Sequence, residues 1–106
     1  MSSGARELAV GLDVGTQGTK AVAVDISGSR VVARASARYD LIQGLGPGAA
    51  EQHPETWAGA VREVLAQLAA QDVRPREVAS VGVSGQQHGL VLLDAEGEVV
   101  RPAKLW

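Results

Sequence analysis

Short apolar runs with strand-like patterning occupy the first part of the chain. The runs "LAVGLDVG" (residues 8–15) and "TKAVAVDI" (residues 19–26) are rich in Val, Ala and Leu, and a Gly/Thr/Gln turn separates them. Runs of this length and composition, bounded by turn residues, are typical of strands. The pattern therefore predicts two strands joined as a hairpin.

A third run, "RVVARASARYDL" (residues 30–41), alternates small apolar and polar residues. The two sets are interleaved: Val32, Ala35 and Ala37 with Arg34, Ser36 and Arg38. Partial alternation of this kind indicates a strand with one face in water. The stretch that follows, "IQGLGPGAAEQH" (residues 42–53), contains three glycines and one proline. Its apolar residues follow neither the strand period nor the helix period, so it predicts a long loop.

A helical period begins after this loop. Pro54 occupies the first-turn position that proline favours. The apolar residues then recur at helical spacing: Trp57, Val61, Val64, Leu65 and Leu68. This spacing predicts a helix with one apolar face, which makes Trp57 a core residue. His53, just before the helix, is predicted to be a cap or an exposed residue, and it is a weaker cap than Asp or Ser.

The last part of the chain predicts three more strands. "EVASVGVSG" (residues 77–85) has scarcely any polar residue between its valines, and near-continuous apolarity predicts a strand buried on both faces. "GLVLLDAEGEVVRPAKLW" (residues 89–106) predicts a hairpin whose turn, residues 94–97, places Gly97 where a positive φ is usually needed. The predicted order is strand, strand, strand, helix, strand, strand, strand, with no internal repeat.

Length and composition limit the class of protein. A chain of 106 residues suffices for one small domain and is too short for a typical two-domain enzyme. The hydrophobic fraction of 45% is that of a globular domain, and with 3% aromatic residues and no Phe the core must consist of Val, Leu, Ile and Ala. The absence of Cys excludes a disulfide scaffold and a thiolate metal site.

Charge and targeting signals exclude several kinds of partner. The net charge is −2, with 10 basic and 12 acidic residues spread along the chain, so there is no basic surface for a nucleic-acid backbone. The apolar run at residues 8–12 is interrupted by Asp13 before it could act as a signal peptide, and no segment has the length of a membrane span. We therefore expect a cytoplasmic protein that binds neither nucleic acid nor membrane, and the sequence allows a homodimer.

The chain ends on two apolar residues, Leu105 and Trp106, in what the pattern predicts to be a strand. Natural carboxyl termini are usually polar and frayed. We therefore expect residues 1–106 to be a fragment of a longer protein.

The turn between the first two strands concentrates residues that suit phosphate chemistry. Gly15 and Gly18 allow the backbone to approach an anion and leave amides free to donate hydrogen bonds to it. Further donors are available on four side chains: Thr16, Gln17, Thr19 and Lys20. Asp13 cannot bind an anion by itself, but magnesium is usually held by one or two carboxylates together with phosphate oxygens. The combination describes a pocket for a metal and a nucleotide.

Two familiar phosphate motifs do not fit this turn. It matches neither the P-loop nor the dinucleotide-binding fingerprint, because a strand rather than a helix follows the glycines. From residue types alone, a tight hairpin turn with an Asp that caps backbone amides is an equally good interpretation. Further residues are needed to decide between the two.

The stretch "GLDVGTQGTKAVAVD" (residues 11–25) resembles the phosphate-binding hairpin of the FGGY carbohydrate kinases. These enzymes share the ribonuclease-H-like, actin-like ATPase fold with hexokinases, actin and the heat-shock chaperone ATPases. The pattern Asp-x-Gly-Thr-x-x-x-Lys is matched at Asp13, Gly15, Thr16 and Lys20. It indicates the superfamily better than the substrate.

A second stretch, "VASVGVSGQQHGLVLLDAEGEVVRPAKLW" (residues 78–106), looks like the xylulokinases among these enzymes. In them a buried strand ends in Gly-Gln-Met-His-Gly, and Leu-Leu-Asp and Arg-Pro-Ala-x-Leu-Trp follow. This chain has Gln87 where methionine is usual, which leaves the exact sugar open. With "HPETW" at the helix start, the resemblance extends over residues 8–106.

The resemblance implies an α/β fold of the ribonuclease-H-like class, with a mixed sheet, in the N-terminal portion of the first of two kinase domains. The predicted order of strands and helix agrees with it. It implies ATP-dependent phosphorylation of a ketopentose, D-xylulose to D-xylulose 5-phosphate, with ATP and Mg²⁺ as cofactors. The family's general-base aspartate and its adenosine-binding domain lie beyond residue 106, so the chain alone is expected to be inactive.

Residue roles follow from the same resemblance. Asp13 would orient Mg²⁺. Four residues would hold the β- and γ-phosphates: Gly15, Thr16, Gln17 and Lys20. Gln87 and His88 would contact the ketose hydroxyls, and Gln86 would brace the loop. From residue types alone, His88 can be a structural histidine in a turn, and Trp106 can belong to the substrate pocket or to the core.

Alternatives from other functional classes remain open. The domain can be a non-catalytic, actin-like nucleotide-binding module, or a structural subdomain whose hairpin binds nothing. Within the kinases, the rival substrates are ribulose, gluconate and glycerol, whose enzymes have other residues where His88 stands.

Overall fold

The computed structural model of the chain describes residues 6–86 and 89–105. Its elements in chain order are β1 (Leu8–Val14), β2 (Gly18–Asp25), β3 (Arg30–Arg38), β4 (Glu51–Gln52), α1 (Pro54–Ala70), a short 3₁₀ helix (Pro75–Glu77), β5 (Val78–Gly85) and β6 (Ala103–Lys104). The first three strands, α1 and β5 are the elements that the hydrophobic pattern predicts.

Four strands form one mixed sheet in the order β3-β2-β1-β5. Both β1 and β3 pair antiparallel with β2, whereas β5 pairs parallel with β1. A parallel neighbour requires a long crossover connection, and α1 lies in the segment between β3 and β5. This is the α/β architecture with a mixed sheet that the sequence predicts.

The core lies between one face of this sheet and α1. The buried sheet residues share that face, because residues directly opposite one another in a ladder point the same way. They are Leu8, Val10, Leu12, Ala21, Ala23, Ala33, Ala35 and Ala37. From α1, Ala60, Val64 and Leu68 complete the core, which is aliphatic as predicted. Leu65, predicted on the apolar face, is 43% exposed because it lies to one side of the buried stripe.

Alternation in β3 holds only beyond a β-bulge. Val24 pairs with Val31 and Ala23 pairs with Ala33, so Val32 is the extra residue on β3. Val32, predicted on the apolar side, is therefore only half-buried. Beyond the bulge Ala35 and Ala37 are buried and Arg34, Ser36 and Arg38 are exposed, as predicted, and Ala33 takes the buried position predicted for Val32.

The prediction that β5 is buried on both faces is wrong for the described residues. β5 is an edge strand, and α1 packs against β1, β2 and β3. Val81 and Val83 point to the helix side of the sheet, yet they are 56% and 67% exposed. An apolar pattern shows which faces can be covered, but it does not supply the elements that cover them.

The final hairpin is less regular than predicted. Among the described residues it contains only two isolated bridges, Leu90↔Lys104 and Leu93↔Val99. Its turn is as predicted, since Gly97 has a φ of +81° and the carboxylate of Asp94 accepts hydrogen bonds from two following amides. The end of the hairpin, β6, pairs with β4. The predicted loop at residues 42–53 therefore contains a short strand, which is too brief to show a period.

The start of α1 follows the prediction closely. Pro54 is its first residue, and His53 is an exposed N-cap whose side chain makes no capping hydrogen bond. Trp57 is half-buried, and its indole N–H donates a 2.9 Å hydrogen bond to Oε1 of Gln52, so its assignment to the core is met only in part. Within the described residues, no helix has the length and apolarity needed to cross a membrane.

Candidate functional site

The segments that follow β1 and β5 meet at one end of the sheet. The last parallel pair is Val14↔Gly85, so the hairpin loop (residues 15–18) and Gln86 leave the sheet side by side. The amide of Gln86 donates a 3.0 Å hydrogen bond to the carbonyl of Val14. In open α/β sheets, ligands bind beyond the carboxyl ends of the strands. This end of the sheet is therefore the candidate site.

An open cavity of about 650 Å³ lies beside the hairpin loop. Its lining contains every residue predicted on the phosphate side of the site: Asp13, Gly15, Thr16, Gln17 and Lys20. Asp13 and Lys20 are directly opposite each other in the β1–β2 ladder, so their side chains share the sheet face opposite the core. Both are exposed, and Arg38 adds a second cation to the lining. The cavity thus combines one carboxylate with two positive charges.

Three consecutive carbonyl groups of the hairpin loop are hydrogen-bonded to the protein. The carbonyl of Gly15 accepts a 2.6 Å hydrogen bond from the hydroxyl of Tyr39. The carbonyl of Thr16 accepts a 2.7 Å hydrogen bond from Nε2 of Gln52. The carbonyl of Gln17 accepts one of 3.2 Å from the amide of Tyr39. These contacts fix the orientation of the peptide planes in the loop.

The orientation of these carbonyls determines where the next amides point. In a planar trans peptide, the N–H group lies opposite the C=O group. The amides of Thr16 and Gln17 therefore point away from Tyr39 and Gln52, and neither of those two residues lines the cavity. These two amides are the backbone donors best placed for an anion in the cavity.

Two donors predicted from the sequence are already engaged within the protein. The amide of Gly15 donates a 2.9 Å hydrogen bond to the carbonyl of Gly18. The side chain of Thr19 is fully buried, and its hydroxyl lies 3.1 Å from that of Tyr39. Because Tyr39 donates its hydrogen to Gly15, Thr19 donates to Tyr39. The hydroxyl of Thr19 is thus a structural group, contrary to the prediction that it faces phosphate.

Close packing of the backbone requires Gly18 and leaves little room for a side chain at Gly15. A Cβ at Gly18 would lie 2.8 Å from the carbonyl oxygen of Ala37 on β3, which is closer than real Cβ contacts. A Cβ at Gly15 would lie 3.3 Å from the carbonyl oxygen of Gly18. Neither glycine has a positive φ. The neighbouring backbone therefore accounts for Gly18, where the sequence suggests the approach of a ligand.

The sequence predicts that Gln86 braces the loop that follows β5, and in the structure its side chain braces the hairpin loop. Its Oε1 accepts a 2.9 Å hydrogen bond from the hydroxyl of Thr16. Its Nε2 donates to Oε1 of Gln52 at 3.3 Å and, more weakly, to the carbonyl of Gly15 at 3.4 Å. The hydroxyl hydrogen of Thr16 is therefore used within the protein, and its backbone amide is the donor left for a ligand. Three predicted residues lie outside the described part of the chain: Gln87, His88 and Trp106.

Gln52 and Tyr39 are absent from the set of site residues predicted from the sequence. Gln52 is 1% exposed and falls in the stretch predicted as a loop, whereas Tyr39 falls near the end of the third predicted strand. Both act on the backbone of the hairpin loop from the core side. The signals that point to them are slight: Tyr39 is the only tyrosine of the chain, and Gln52 stands directly before "HPETW".

The cavity offers few metal ligands of its own. Among the described residues, no group of three or more His, Cys, Asp or Glu side chains could hold a metal ion. Asp13 is the one carboxylate that these residues contribute to the cavity lining. A hard cation would therefore bind with a single carboxylate and with oxygens of a ligand or of water, as Mg²⁺ does beside phosphates.

Residues 8–106 match the family model described as the FGGY family of carbohydrate kinases, N-terminal domain. The chain belongs to the FGGY family. Over its whole length it is 47% identical to the xylulose kinase of Streptomyces coelicolor, of which it covers 21%. The resemblance seen in the hairpin loop and after β5 is thereby confirmed.

Solved structures of FGGY kinases share the fold of this domain. The xylulose kinase of Rhodospirillum rubrum matches with a TM-score of 0.83 and 37% identity, over 93% of this chain and 20% of that one. The gluconate kinase of Lactobacillus acidophilus matches with a TM-score of 0.82 and 34% identity, over 93% of this chain and 19% of that one. The predicted ribonuclease-H-like, actin-like fold is confirmed. The chain spans about a fifth of the length of these relatives.

Proposed function

We propose that this FGGY domain is the N-terminal portion of the first domain of a cytoplasmic, ATP-dependent kinase that converts D-xylulose into D-xylulose 5-phosphate. The observation that carries the proposal is the cavity beside the hairpin loop, where Asp13, Thr16, Gln17 and Lys20 line one open space. The xylulose kinases among its relatives support the choice of sugar. A homodimer is compatible with this proposal.

The hairpin loop binds the β- and γ-phosphates of the nucleotide. Phosphoryl transfer depends mainly on positioning and on neutralisation of negative charge, and bound MgATP supplies the phosphoryl group. The amides of Thr16 and Gln17, with the exposed side chain of Gln17, donate hydrogen bonds to phosphate oxygens. Lys20 places a positive charge beside them, and Gly15 keeps the turn tight enough to present both amides.

Asp13 holds Mg²⁺ in this site. Its exposed carboxylate lies in the cavity lining and directly opposite Lys20 in the ladder. Magnesium keeps several waters and takes one or two carboxylates together with phosphate oxygens, which fits a cavity with a single protein carboxylate. Asp13 therefore orients the ion and its water shell, and Lys20 neutralises the remaining phosphate charge.

Gln87 and His88 contact the hydroxyl groups of the sugar. Support comes from their place in the chain, since they follow Gln86, which hydrogen bonds fix against the hairpin loop. Amide and imidazole groups donate and accept hydrogen bonds, as recognition of a polyol requires. The general base for the attacking hydroxyl belongs to the kinase beyond residue 106, so the 106-residue chain alone has no sugar-dependent ATPase or kinase activity.

Phosphorylation of gluconate is the second candidate function. The gluconate kinase of Lactobacillus acidophilus matches this domain nearly as well as the xylulose kinase of Rhodospirillum rubrum, so the fold does not select the sugar. Gln87 replaces the methionine usual in xylulokinases and adds a donor and an acceptor at that position. A substrate more polar than xylulose would form hydrogen bonds with both this donor and this acceptor.

The test is coupled ADP release by the full-length protein with D-xylulose, D-ribulose, gluconate and glycerol, each offered to the wild type, Asp13→Ala and Glu55→Gln. Glu55 is an exposed carboxylate in the first turn of α1, outside the cavity lining. We expect a preference for xylulose that Asp13→Ala abolishes and Glu55→Gln keeps. A preference for another of these substrates would show that the enzyme is a kinase for that substrate and not for xylulose. Activity on none of them would favour a non-catalytic nucleotide-binding module.

A further inference from the structure

Gln52 is a buried polar residue at the centre of the contacts between the hairpin loop, α1 and Gln86. Its side chain is 1% exposed, and all four hydrogen-bonding capacities of its amide are used. Nε2 donates to the carbonyls of Thr16 and Asp40 at 2.7 and 3.3 Å. Oε1 accepts from the indole of Trp57 and from Nε2 of Gln86 at 2.9 and 3.3 Å. A buried amide satisfied in this way has a single orientation.

Only a primary amide of this length fits these partners. The position requires two donors and two acceptor sites on one planar group, which asparagine and glutamine alone provide among the side chains. A glutamate at Gln52 would keep the acceptors for Trp57 and Gln86 but would turn a carboxylate oxygen toward the carbonyls of Thr16 and Asp40. The carbonyls of Thr16 and Asp40 would then lose this donor, and a charge would lie at a residue that is 1% exposed.

The contacts of Gln52 extend to both ligand-binding segments. Through the carbonyl of Thr16 it fixes the peptide plane that presents the amide of Gln17. Through Gln86 it reaches the residue that directly precedes Gln87 in the chain. Gln86 in turn accepts a hydrogen bond from the hydroxyl of Thr16, so these contacts form a closed network between the two segments.

We propose that Gln52 is a positioning residue that fixes the hairpin loop and the segment beginning at Gln86 relative to each other. The phosphate and the sugar are then bound in the relative positions that phosphoryl transfer requires. This role rests on the proposed kinase function. Gln52 does not line the cavity, so it acts through the groups that it orients. Misplacement of reacting groups by about 1 Å can reduce a rate about 100-fold, so loss of such an anchor lowers activity even where the fold is kept.

The experiment compares Gln52→Glu with Gln67→Glu in the full-length protein. Gln67 is the control, because its Nε2 also donates to a backbone carbonyl, that of Ser36 at 2.8 Å, but Gln67 lies outside the cavity lining and its amide hydrogen-bonds to β3 rather than to the hairpin loop. We expect Gln52→Glu to lower kcat/KM for sugar and for ATP by about tenfold or more. Gln67→Glu should leave both within about twofold of the wild type, with unfolding temperatures recorded for each variant.

A second pair of variants separates positioning from general destabilisation. Gln86→Met removes the link from Gln52 to the second segment, and it provides the test if Gln52→Glu does not fold. Neighbours in one network are non-additive, so the double variant of Gln52→Met and Gln86→Met should be little worse than the poorer single variant. Additive losses, or a folded Gln52→Glu with unchanged constants, would overturn the positioning role alone. A wild type that phosphorylates no sugar would overturn the proposed function and this role with it.

Discussion

The hydroxyl of Tyr39 donates a 2.6 Å hydrogen bond to the carbonyl of Gly15 and accepts one from the buried hydroxyl of Thr19, 3.1 Å away. Tyr39 therefore connects the core side of β2 to the hairpin loop. Because the peptide plane after Gly15 carries the amide of Thr16, the position of one phenol oxygen affects one of the two amides assigned to phosphate.

Tyr39→Phe removes this oxygen and leaves the hydroxyl of Thr19 buried without its partner. Loss of a buried partner costs about 1–3 kcal/mol, so we expect the free energy of unfolding in urea to fall by that amount. We also expect KM for ATP of the proposed kinase to rise severalfold. Thr19→Val is the matched control, because it keeps the bond from Tyr39 to Gly15 and should lower stability alone. An unchanged KM for ATP in Tyr39→Phe would contradict the role of the phenol.

Lys20 is the cation that the sequence motif assigns to phosphate, and it lies in the cavity lining beside Asp13. Hydrogen bonds between charged groups contribute about 1.5–3 kcal/mol, so Lys20→Met should raise KM for ATP by roughly tenfold or more. Arg34→Met is the matched control, since Arg34 is an exposed cation on the same sheet but outside this cavity lining. Equal effects of the two substitutions in initial-rate kinetics would mean that Lys20 contributes only general surface charge.

Gly18 must be a glycine because the backbone of the neighbouring strand β3 lies close to it. An added Cβ would lie 2.8 Å from the carbonyl oxygen of Ala37, whereas a Cβ at Gly82 on β5 would meet nothing within 4 Å. Overpacking of this kind typically costs about 1–3 kcal/mol. We therefore expect Gly18→Ala to lower the free energy of unfolding in urea by that amount and Gly82→Ala to leave it unchanged or slightly raise it. Equal stabilities of the two variants would show that β3 moves aside without penalty.

The parts of the fold that the sequence predicts are those determined by neighbours along the chain. The β1–β2 hairpin follows from two apolar runs around a glycine turn, and α1 follows from a helical period that begins at Pro54. The exposure of β5 cannot be predicted from neighbours along the chain. Val81 and Val83 satisfy the pattern of a covered strand, but coverage depends on elements that the local sequence does not contain.

The residues of the candidate site also fall into two groups, those that are close in sequence and those that only the fold brings together. Asp13, Gly15 and Lys20 are close in sequence, and a motif identifies them together. Gln52 contacts Thr16, 36 residues earlier, and Gln86, 34 residues later, so no local pattern marks it. Buried amides that join distant segments are recognisable only when the fold brings those segments together, so the sequence does not identify Gln52 as the anchor of the hairpin loop.

Glu77 holds the start of β5 against the start of β1. Its carboxylate accepts hydrogen bonds from Nη2 and Nε of Arg6 at 3.0 and 3.2 Å and from the amide of Arg74 at 3.1 Å. The hydrogen bond from Arg6, followed by that from Arg74, lowers the pKa of Glu77 below its ordinary value of 4.5. A carboxylate whose pKa is lower in the folded state stabilises the fold in its ionised form.

Glu77→Gln should therefore reduce stability in a pH-dependent manner. The stabilisation by Glu77 is complete above its ordinary pKa of 4.5 and is lost as the pH falls through the lower pKa of the folded state. We expect the gap in free energy of unfolding between wild type and Glu77→Gln to be constant between about pH 6 and 8 and to shrink below about pH 4.5. Asp72→Asn removes the more exposed pair of Asp72 with Arg74, 3.4 Å apart, and should have a smaller effect at every pH. A gap for Glu77→Gln that does not change on acidification would show that Arg6 does not hold the ionised carboxylate.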